Sequence, residues 1–240
     1  RDIKPDNILY KVSPRLCFKI ADFGLSTEIN TMEFKSVIHG CVGTRCWMAP
    51  ELLHMVGKVN HSFASDVFAC GLVLHYILDA KNHPFSSPLE IGNERSIVAK
   101  QIETEKNILE QNLNLSKQLT SESRDLIDWM LCKDELSRPT TREIINHPLF
   151  WSRKKKTLFL VAVGNQQEFS FSRYVQRDHS TVEKELENCL DPTFSEEPWD
   201  FSIYPTYTEI TSTGRRYNTS SSVDLVRFIR NANAHVSDPN

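Results

Sequence analysis

The feature that most constrains the fold is a change in hydrophobic pattern along the chain. Two short β-prone runs come first, Ile8–Tyr10 and Leu16–Ile20, with a proline-containing turn between them. From about Asp66 onward, apolar residues at helical spacing dominate, separated by polar or proline-containing joints. The predicted helices cover residues 66–79, 95–108, 121–133, 140–146 and 222–231. The sequence therefore predicts a mainly α fold of the α+β class.

The charge balance excludes a general attraction to polyanions. The 240-residue chain carries 28 Lys and Arg against 31 Asp and Glu, which gives a net charge of −3. Any contact with nucleic acid or anionic lipid must therefore come from a local cluster. The longest apolar run, Val67–Leu78, is shorter than the roughly 20 residues needed to cross a bilayer, and it predicts a buried helix. We expect no membrane span in this chain.

The composition of the chain changes close to Trp151. A basic run, Arg153–Lys156, precedes an apolar stretch, after which the sequence is polar up to the last helical pattern. We therefore place a domain boundary here and predict two domains, residues 1–151 and residues 152–240. We interpret the basic run as a solvated helix face, with contact to RNA phosphates or a localisation signal as the alternatives.

The first domain contains five short motifs in succession. They are Arg-Asp-Ile-Lys-Pro-Asp-Asn at 1–7, Asp-Phe-Gly at 22–24, Gly-Thr-Arg-Cys-Trp-Met-Ala-Pro-Glu at 43–51, Asp-Val-Phe at 66–68 and Arg-Pro at 138–139. Together they resemble the C-terminal lobe of a Ser/Thr protein kinase, entered partway through its catalytic loop. The resemblance implies that the Arg138 side chain pairs with the Glu51 carboxylate.

The resemblance also implies the chemistry of phosphoryl transfer. Asp2 would accept the proton of the substrate hydroxyl, and Lys4 would steady the γ-phosphate of ATP. Asn7 and Asp22 would hold the Mg²⁺ ions that bridge the phosphates, so ATP and Mg²⁺ are the expected cofactors. In this family the glycine-rich loop, the strand lysine and its glutamate partner precede the catalytic loop. We therefore expect a kinase fragment without its N-terminal lobe, inactive as it stands.

A helix is predicted near the end of the chain. Ser221, followed three residues later by Asp224, forms a capping box, so the helix should begin there. Leu225, Val226 and Ile229 would then share its buried face.

Polar side chains suited to a phosphodiester lie along this predicted helix. Arg227, Asn231 and His235 are spaced by four residues, and Arg230 lies about 100° from Asn231 around the helix axis. Tyr217 precedes Arg230 by thirteen residues. This spacing of tyrosine, arginine, asparagine and histidine resembles the kinase-extension nuclease (KEN) domain. That all-α domain occurs in the kinase–endoribonuclease sensor of the unfolded protein response and in ribonuclease L.

The second resemblance implies metal-independent cleavage of RNA, with no cofactor. Arg230 would bind the phosphate oxygens bidentately, and Asn231 would hold the substrate or a neighbouring side chain. His235 would protonate the departing 5′-oxygen, while Tyr217 would activate or position the attacking 2′-hydroxyl. The product would carry a 2′,3′-cyclic phosphate. The family's domain continues beyond the histidine, so we expect a C-terminally truncated copy here.

An incomplete kinase–endoribonuclease of stress-sensing RNA decay is the function that the two resemblances imply. Its partners would be ATP or ADP, an RNA substrate, and further copies of the protein in a homodimer or higher homo-oligomer. The expected location is cytoplasmic, at the cytosolic face of the endoplasmic reticulum for the full-length protein. Two alternatives stay open, a ribonuclease-L-like protein with a nucleotide-binding pseudokinase and a non-catalytic kinase-like scaffold.

Overall fold

The computed structural model describes residues 1–26, 35–39, 44–53, 58–86, 97–166, 184 and 217–237. The chain divides into two compact units, Arg1–Phe150 and Trp151–Asn240. The predicted fold class is confirmed, because helices dominate the described residues and the strands form only two-stranded sheets.

Two antiparallel sheets lie in the first unit. Strand β1 (Ile8–Lys11) pairs with β2 (Cys17–Ile20), with the first residue of β1 opposite the last residue of β2. This hairpin confirms the two predicted β-prone runs. The second sheet pairs β3 (Lys35–His39) with β4 (Lys58–Ser62) and was not predicted. Its strands are far apart in the sequence, so no short turn marks them as a hairpin.

Five helices lie in the described part of the first unit. They are α1 (Pro50–Leu53), α2 (Phe63–Leu78), α3 (Ile97–Glu110), α4 (Ser121–Met130) and α5 (Thr141–Asn146). Helix α2 begins three residues before the predicted start because Ser62 caps it. The Ser62 hydroxyl oxygen accepts a 3.2 Å hydrogen bond from the Ser65 N–H. None of the helices in the described ranges combines the length and the apolar character that a membrane crossing requires.

The core of the first unit forms where α2 packs on α4. Phe68 of α2 and Ile127 of α4 are fully buried in one apolar cluster. Gly71 lies at the closest approach of the two helices, since a Cβ atom there would be 2.9 Å from the Cβ atom of Met130. A side chain at this position would force the helices apart, so close packing requires the glycine.

A buried ion pair connects α1 to the loop before α5. The Arg138 side chain is fully buried and forms two 2.8 Å hydrogen bonds with the Glu51 carboxylate. Its other N–H groups donate to the backbone carbonyl oxygens of Ala64, Cys132 and Lys133, so all five donors have acceptors. Burial acts to raise the pKa of Glu51, but Arg138 outweighs it and holds that pKa below its ordinary value. The pairing implied by the sequence is confirmed.

Helices α6 (Arg153–Gly164) and α7 (Ser222–Ser237) pack against each other in the second unit. Helix α6 contains the basic run that we interpreted as a solvated helix face, and Arg153, Lys154 and Lys155 are exposed in its first turn, although the bounds of the helix were not predicted. Helix α7 begins at the predicted residue and extends six residues beyond the predicted end. Val226 is buried, as expected, whereas Leu225 and Ile229 are half-buried.

Candidate functional site

Four hydrogen-bond donors surround the carboxylate of Asp2. The Thr44 N–H and hydroxyl donate to one oxygen at 2.8 and 3.0 Å. The Lys4 ammonium and the Asn7 amide donate to the other oxygen at 2.7 and 3.1 Å. Burial acts to raise the pKa of Asp2, but the hydrogen bonds from Lys4 and Thr44 outweigh it and lower that pKa. The carboxylate is therefore ionised at neutral pH and able to accept a proton.

Asn7 and Asp22 lie at the same end of the β1–β2 hairpin, where the Ala21 N–H donates to the Asn7 carbonyl oxygen at 2.8 Å. The Asn7 side-chain nitrogen donates to both the carbonyl and the carboxylate of Asp2, so its amide oxygen is left for a cation. Asp22 has a positive φ of 58°, and one of its carboxylate oxygens accepts from the Gly24 N–H at 3.3 Å. An amide oxygen and a carboxylate are ligands that Mg²⁺ prefers, so these residues fit the expected ion.

The segment that carries Thr44 is fixed by contacts with the helical part of the unit. Arg45 donates through Nε and Nη2 to one carboxylate oxygen of Glu105 in α3, at 2.9 and 2.8 Å. The His83 imidazole contacts the Cys46 carbonyl oxygen through Nε2 at 3.0 Å, and burial lowers the pKa of His83 to about 4. The imidazole is thus neutral at pH 7, with Nε2 as the donor. Sequence reasoning missed Thr44 because its partner Asp2 lies 42 positions earlier.

The start of α7 fixes the segment that contains Tyr217. The Ser221 hydroxyl oxygen accepts a 3.1 Å hydrogen bond from the Asp224 N–H, which confirms this half of the predicted capping box. The Asp224 carboxylate accepts from the Asn218 N–H at 2.6 Å and from Arg227 at 3.1 Å. The backbone next to Tyr217 is therefore tied to the first turn of the helix.

Tyr217, Asn231 and Arg230 are connected by hydrogen bonds. The Asn231 side-chain nitrogen donates to the Tyr217 phenol oxygen at 2.7 Å, and its amide oxygen accepts from Arg230 Nε at 3.2 Å. Arg230 Nη1 donates to the carbonyl oxygen of Gly164, the last residue of α6, at 2.8 Å. The ring of Phe228 packs at a right angle to that of Tyr217, with centroids 5.4 Å apart. Three of the four predicted nuclease residues thus form one connected cluster.

The guanidinium of Arg230 is only partly available to a phosphate. Nε and Nη1 already donate to Asn231 and Gly164, while Nη2 has no partner among the described residues. Bidentate binding of a phosphate therefore requires Arg230 to release one of these two contacts. His235 lies in α7 about one turn after Asn231, and its side chain lies outside the described residues.

Gly164 is a residue of this cluster that sequence reasoning missed. A Cβ atom at Gly164 would be 3.1 Å from the Cβ atom of Arg230 and 3.2 Å from the Val226 carbonyl oxygen. The φ of Gly164 is not in the left-handed region, so it is the approach of α7, and not the backbone conformation, that leaves little space for a side chain here. Glycine after an apolar pattern is an ordinary helix stop signal. The contact between Gly164 and α7 cannot be predicted from that signal.

Comparisons with known proteins match both units to families. Residues 1–150 match the protein kinase domain family, and residues 156–240 match the ribonuclease 2-5A family. The chain is 30% identical, over 99% of its length, to the Sensor for unfolded proteins in the ER ire1 of Schizosaccharomyces pombe, of which it covers 23%. It is also 30% identical, over 98% of its length, to the Serine/threonine-protein kinase/endoribonuclease IRE1a of Arabidopsis thaliana, of which it covers 26%.

A third relative has a similar level of identity to this chain. The Serine/threonine-protein kinase/endoribonuclease IRE1 of Hypocrea jecorina is 30% identical over 99% of this chain, which covers 21% of that protein. The chain thus spans about a quarter of the length of the curated relatives it matches. In this chain the kinase match comes first and the ribonuclease 2-5A match follows it. The chain therefore belongs to the protein kinase family, in the group whose kinase domain is followed by a ribonuclease 2-5A domain.

Proposed function

We propose that this chain is part of a Ser/Thr protein kinase and metal-independent endoribonuclease that cuts RNA in a stress response. The observation that carries the proposal is the hydrogen-bonded cluster of Tyr217, Asn231, Arg230 and Gly164 at the helix that also contains His235. Two relatives are named as kinase and endoribonuclease, and a third as a sensor for unfolded proteins.

In the kinase part, Asp2 orients the substrate hydroxyl and accepts its proton, because its lowered pKa keeps the carboxylate ionised. Lys4, which contacts both Asp2 and the Thr44 hydroxyl, steadies the γ-phosphate. ATP with Mg²⁺ supplies the phosphoryl group when bound, and Asn7 and Asp22 would hold the ion. Since these acidic, amide and basic groups are all intact, phosphoryl transfer is favoured over a pseudokinase that only binds nucleotide.

In the nuclease part, Tyr217 activates or positions the attacking 2′-hydroxyl. Asn231 fixes the phenol oxygen through its 2.7 Å hydrogen bond, so the tyrosine meets the substrate in one orientation. Arg230 stabilises the charge that develops on the phosphate, and His235 protonates the departing 5′-oxygen. The products are a 2′,3′-cyclic phosphate and a 5′-hydroxyl, and no step uses a metal ion.

The family resemblance extends the proposal to the intact protein. We infer that it binds ATP or ADP, assembles as a homodimer or higher homo-oligomer, and cuts RNA in the cytoplasm at the surface of the endoplasmic reticulum. The relative named as a sensor for unfolded proteins in the ER supports this location.

The test of the proposal is the cleavage of end-labelled RNA by the intact protein that contains this chain. We expect cleavage in the presence of EDTA once the protein has oligomerised, with 2′,3′-cyclic phosphate at the new ends. A folded, oligomeric protein that leaves RNA uncut would overturn the endoribonuclease and favour the non-catalytic scaffold.

Replacing Gly164 by alanine is expected to slow RNA cleavage by displacing Arg230. The new Cβ atom would lie within 3.1 Å of the Arg230 Cβ atom and 3.2 Å of a backbone oxygen, so α7 must move by a few tenths of an ångström. Such overpacking typically costs about 1–3 kcal/mol of stability. Cleavage rates at saturating RNA and thermal unfolding measure the two effects.

The control for this prediction is Asn165→Ala at the exposed neighbouring position, which should cleave RNA normally. If Gly164 acts through Arg230, Gly164→Ala should cause no further loss of rate in an Arg230→Ala background. If the two substitutions instead reduce the cleavage rate by factors that multiply in the double variant, Gly164 acts independently of Arg230 and only maintains the fold.

A further inference from the structure

The first turn of α6 contains charges that its own helix disfavours. Arg153–Lys156 occupy the first four helical positions after the N-cap Ser152, and no acidic residue lies in this turn. The exposed N–H groups of a helix N-terminus carry partial positive charge, so cations there cost stability and also repel one another. Stabilisation of the helix by its dipole therefore does not explain why four cations occur in this turn.

Three of these cations are exposed at the surface. Arg153, Lys154 and Lys155 all lie on the surface, and no carboxylate of the described residues forms an ion pair with them. Their charge is therefore open to an external anion. The whole unit gives no general basic field, since residues 152–240 contain 11 Lys and Arg against 12 Asp and Glu. Attraction of an anion to α6 would thus come from this turn and not from the charge of the unit as a whole.

Aromatic side chains lie beside the cations. The Lys155 ammonium lies 4.4 Å from the centroid of the Trp151 ring, and the Trp151 ring contacts that of Phe159 edge-on at 5.2 Å. Phe159 is half exposed, at 51%. Cations that follow a phosphate backbone, together with aromatic rings on which bases stack, are typical of surfaces that bind single-stranded nucleic acid.

The same helix leads directly to the proposed cleavage site. Its last residue, Gly164, binds Arg230 through its carbonyl oxygen. Gly164 lies eleven positions after Arg153, which corresponds to about 16 Å along the helix axis. Single strands commonly occupy sites of roughly 4–16 nucleotides, so one RNA strand is long enough to reach both ends of α6.

We propose that Arg153, Lys154 and Lys155, with Trp151, form a second contact for the RNA substrate, in which the cations bind phosphates of a single strand away from the scissile bond. This contact raises affinity for RNA without taking part in the chemistry. Its role in cleavage rests on the function proposed above, whereas the binding itself does not.

The test compares the full chain with the triple variant Arg153→Gln/Lys154→Gln/Lys155→Gln. The probe is a fluorescein-labelled single-stranded RNA with 2′-O-methyl groups, which cannot be cut at the 2′-hydroxyl. Affinity is measured by anisotropy over a range of salt concentrations. Loss of three phosphate contacts should reduce the slope of log K against log salt by about 2, since each contributes roughly 0.7 for a single strand. If wild type and the triple variant bind RNA equally at about 1 M salt, the variant should bind about 100-fold more weakly than wild type at about 0.1 M salt.

The matched control is Lys100→Gln/Lys117→Gln/Lys133→Gln, which removes three exposed charges from the first unit. This control should retain wild-type affinity and salt slope. Thermal unfolding separates a binding role from a structural one. The α6 variant loses the Lys155–Trp151 contact but also loses the conflict with the helix dipole, so its melting temperature should stay close to that of wild type.

Two results would overturn the proposal. One is unchanged RNA affinity and slope with a lowered melting temperature, which would make the run structural. The other is unchanged RNA binding with lost binding to phosphatidylserine vesicles, which would assign it to a membrane surface. A different result would separate the two proposals. If the protein binds RNA through Arg153–Lys155 but never cuts it, the nuclease function is refuted and the proposed RNA contact is retained.

Discussion

Replacing Arg138 by methionine is expected to lower the free energy of unfolding by about 3–5 kcal/mol. The buried guanidinium neutralises the Glu51 carboxylate and satisfies three backbone carbonyl oxygens. Its removal leaves a partly buried charge without a cation and buried acceptors without donors. Such uncompensated groups account for the largest losses among single substitutions.

Urea unfolding followed by tryptophan fluorescence measures this loss. Arg142→Met, at an exposed position of α5, removes the same charge and should change stability by less than about 0.5 kcal/mol. The double variant Arg138→Met/Glu51→Leu should recover part of the loss, because no unpaired charge remains. A loss below about 1 kcal/mol for Arg138→Met alone would contradict the prediction.

The same ion pair makes stability depend on pH. The pKa of Glu51 is lower in the folded protein than its ordinary value, so the folded state binds its proton less readily than the unfolded chain does. The contribution of the pair is therefore fully present above the unfolded pKa and is lost as the pH falls through the folded pKa. The difference in stability between wild type and Arg138→Met should shrink in the same acidic range.

The sequence predicts well where one short segment determines the structure. The β1–β2 hairpin and the start of α7 follow from local patterns, namely alternating β-prone residues around a turn and a serine cap. The Arg138–Glu51 contact, across 87 positions, was predicted from the order of motifs and not from a local rule. Family resemblance thus supplied the long-range information that periodicity lacks.

The parts that sequence reasoning missed depend on groups that meet only in the folded protein. Thr44 becomes part of the kinase site because the chain folds back onto Asp2, and its type alone carries no signal. Gly164 matters because α7 approaches it, although its backbone conformation suits any residue. The basic run was interpreted as a helix face, but the bounds of α6 were not predicted, because four cations in a first turn are not a helix start signal.

Replacing His235 by alanine is expected to slow RNA cleavage by roughly 10²–10⁴-fold, which is the usual contribution of a general acid or base. Without the imidazole, the departing 5′-oxygen leaves as an alkoxide, a much poorer leaving group. The variant should bind uncleavable RNA with wild-type affinity, because the proposed phosphate contacts of Arg230 are retained. Single-turnover cleavage and anisotropy measure these two quantities separately.

A substrate with sulfur in place of the 5′-oxygen at the scissile bond identifies the role of His235. A thiol is far more acidic than an alcohol, so a thiolate leaves without needing a proton. His235→Ala should therefore cleave this substrate at nearly the wild-type rate, whereas Arg230→Ala should stay slow on both substrates because it lacks charge stabilisation at the phosphate. If His235→Ala is equally slow on both, the histidine does not protonate the leaving group. Activation of the 2′-hydroxyl would then be its role, and Tyr217 would only position the substrate.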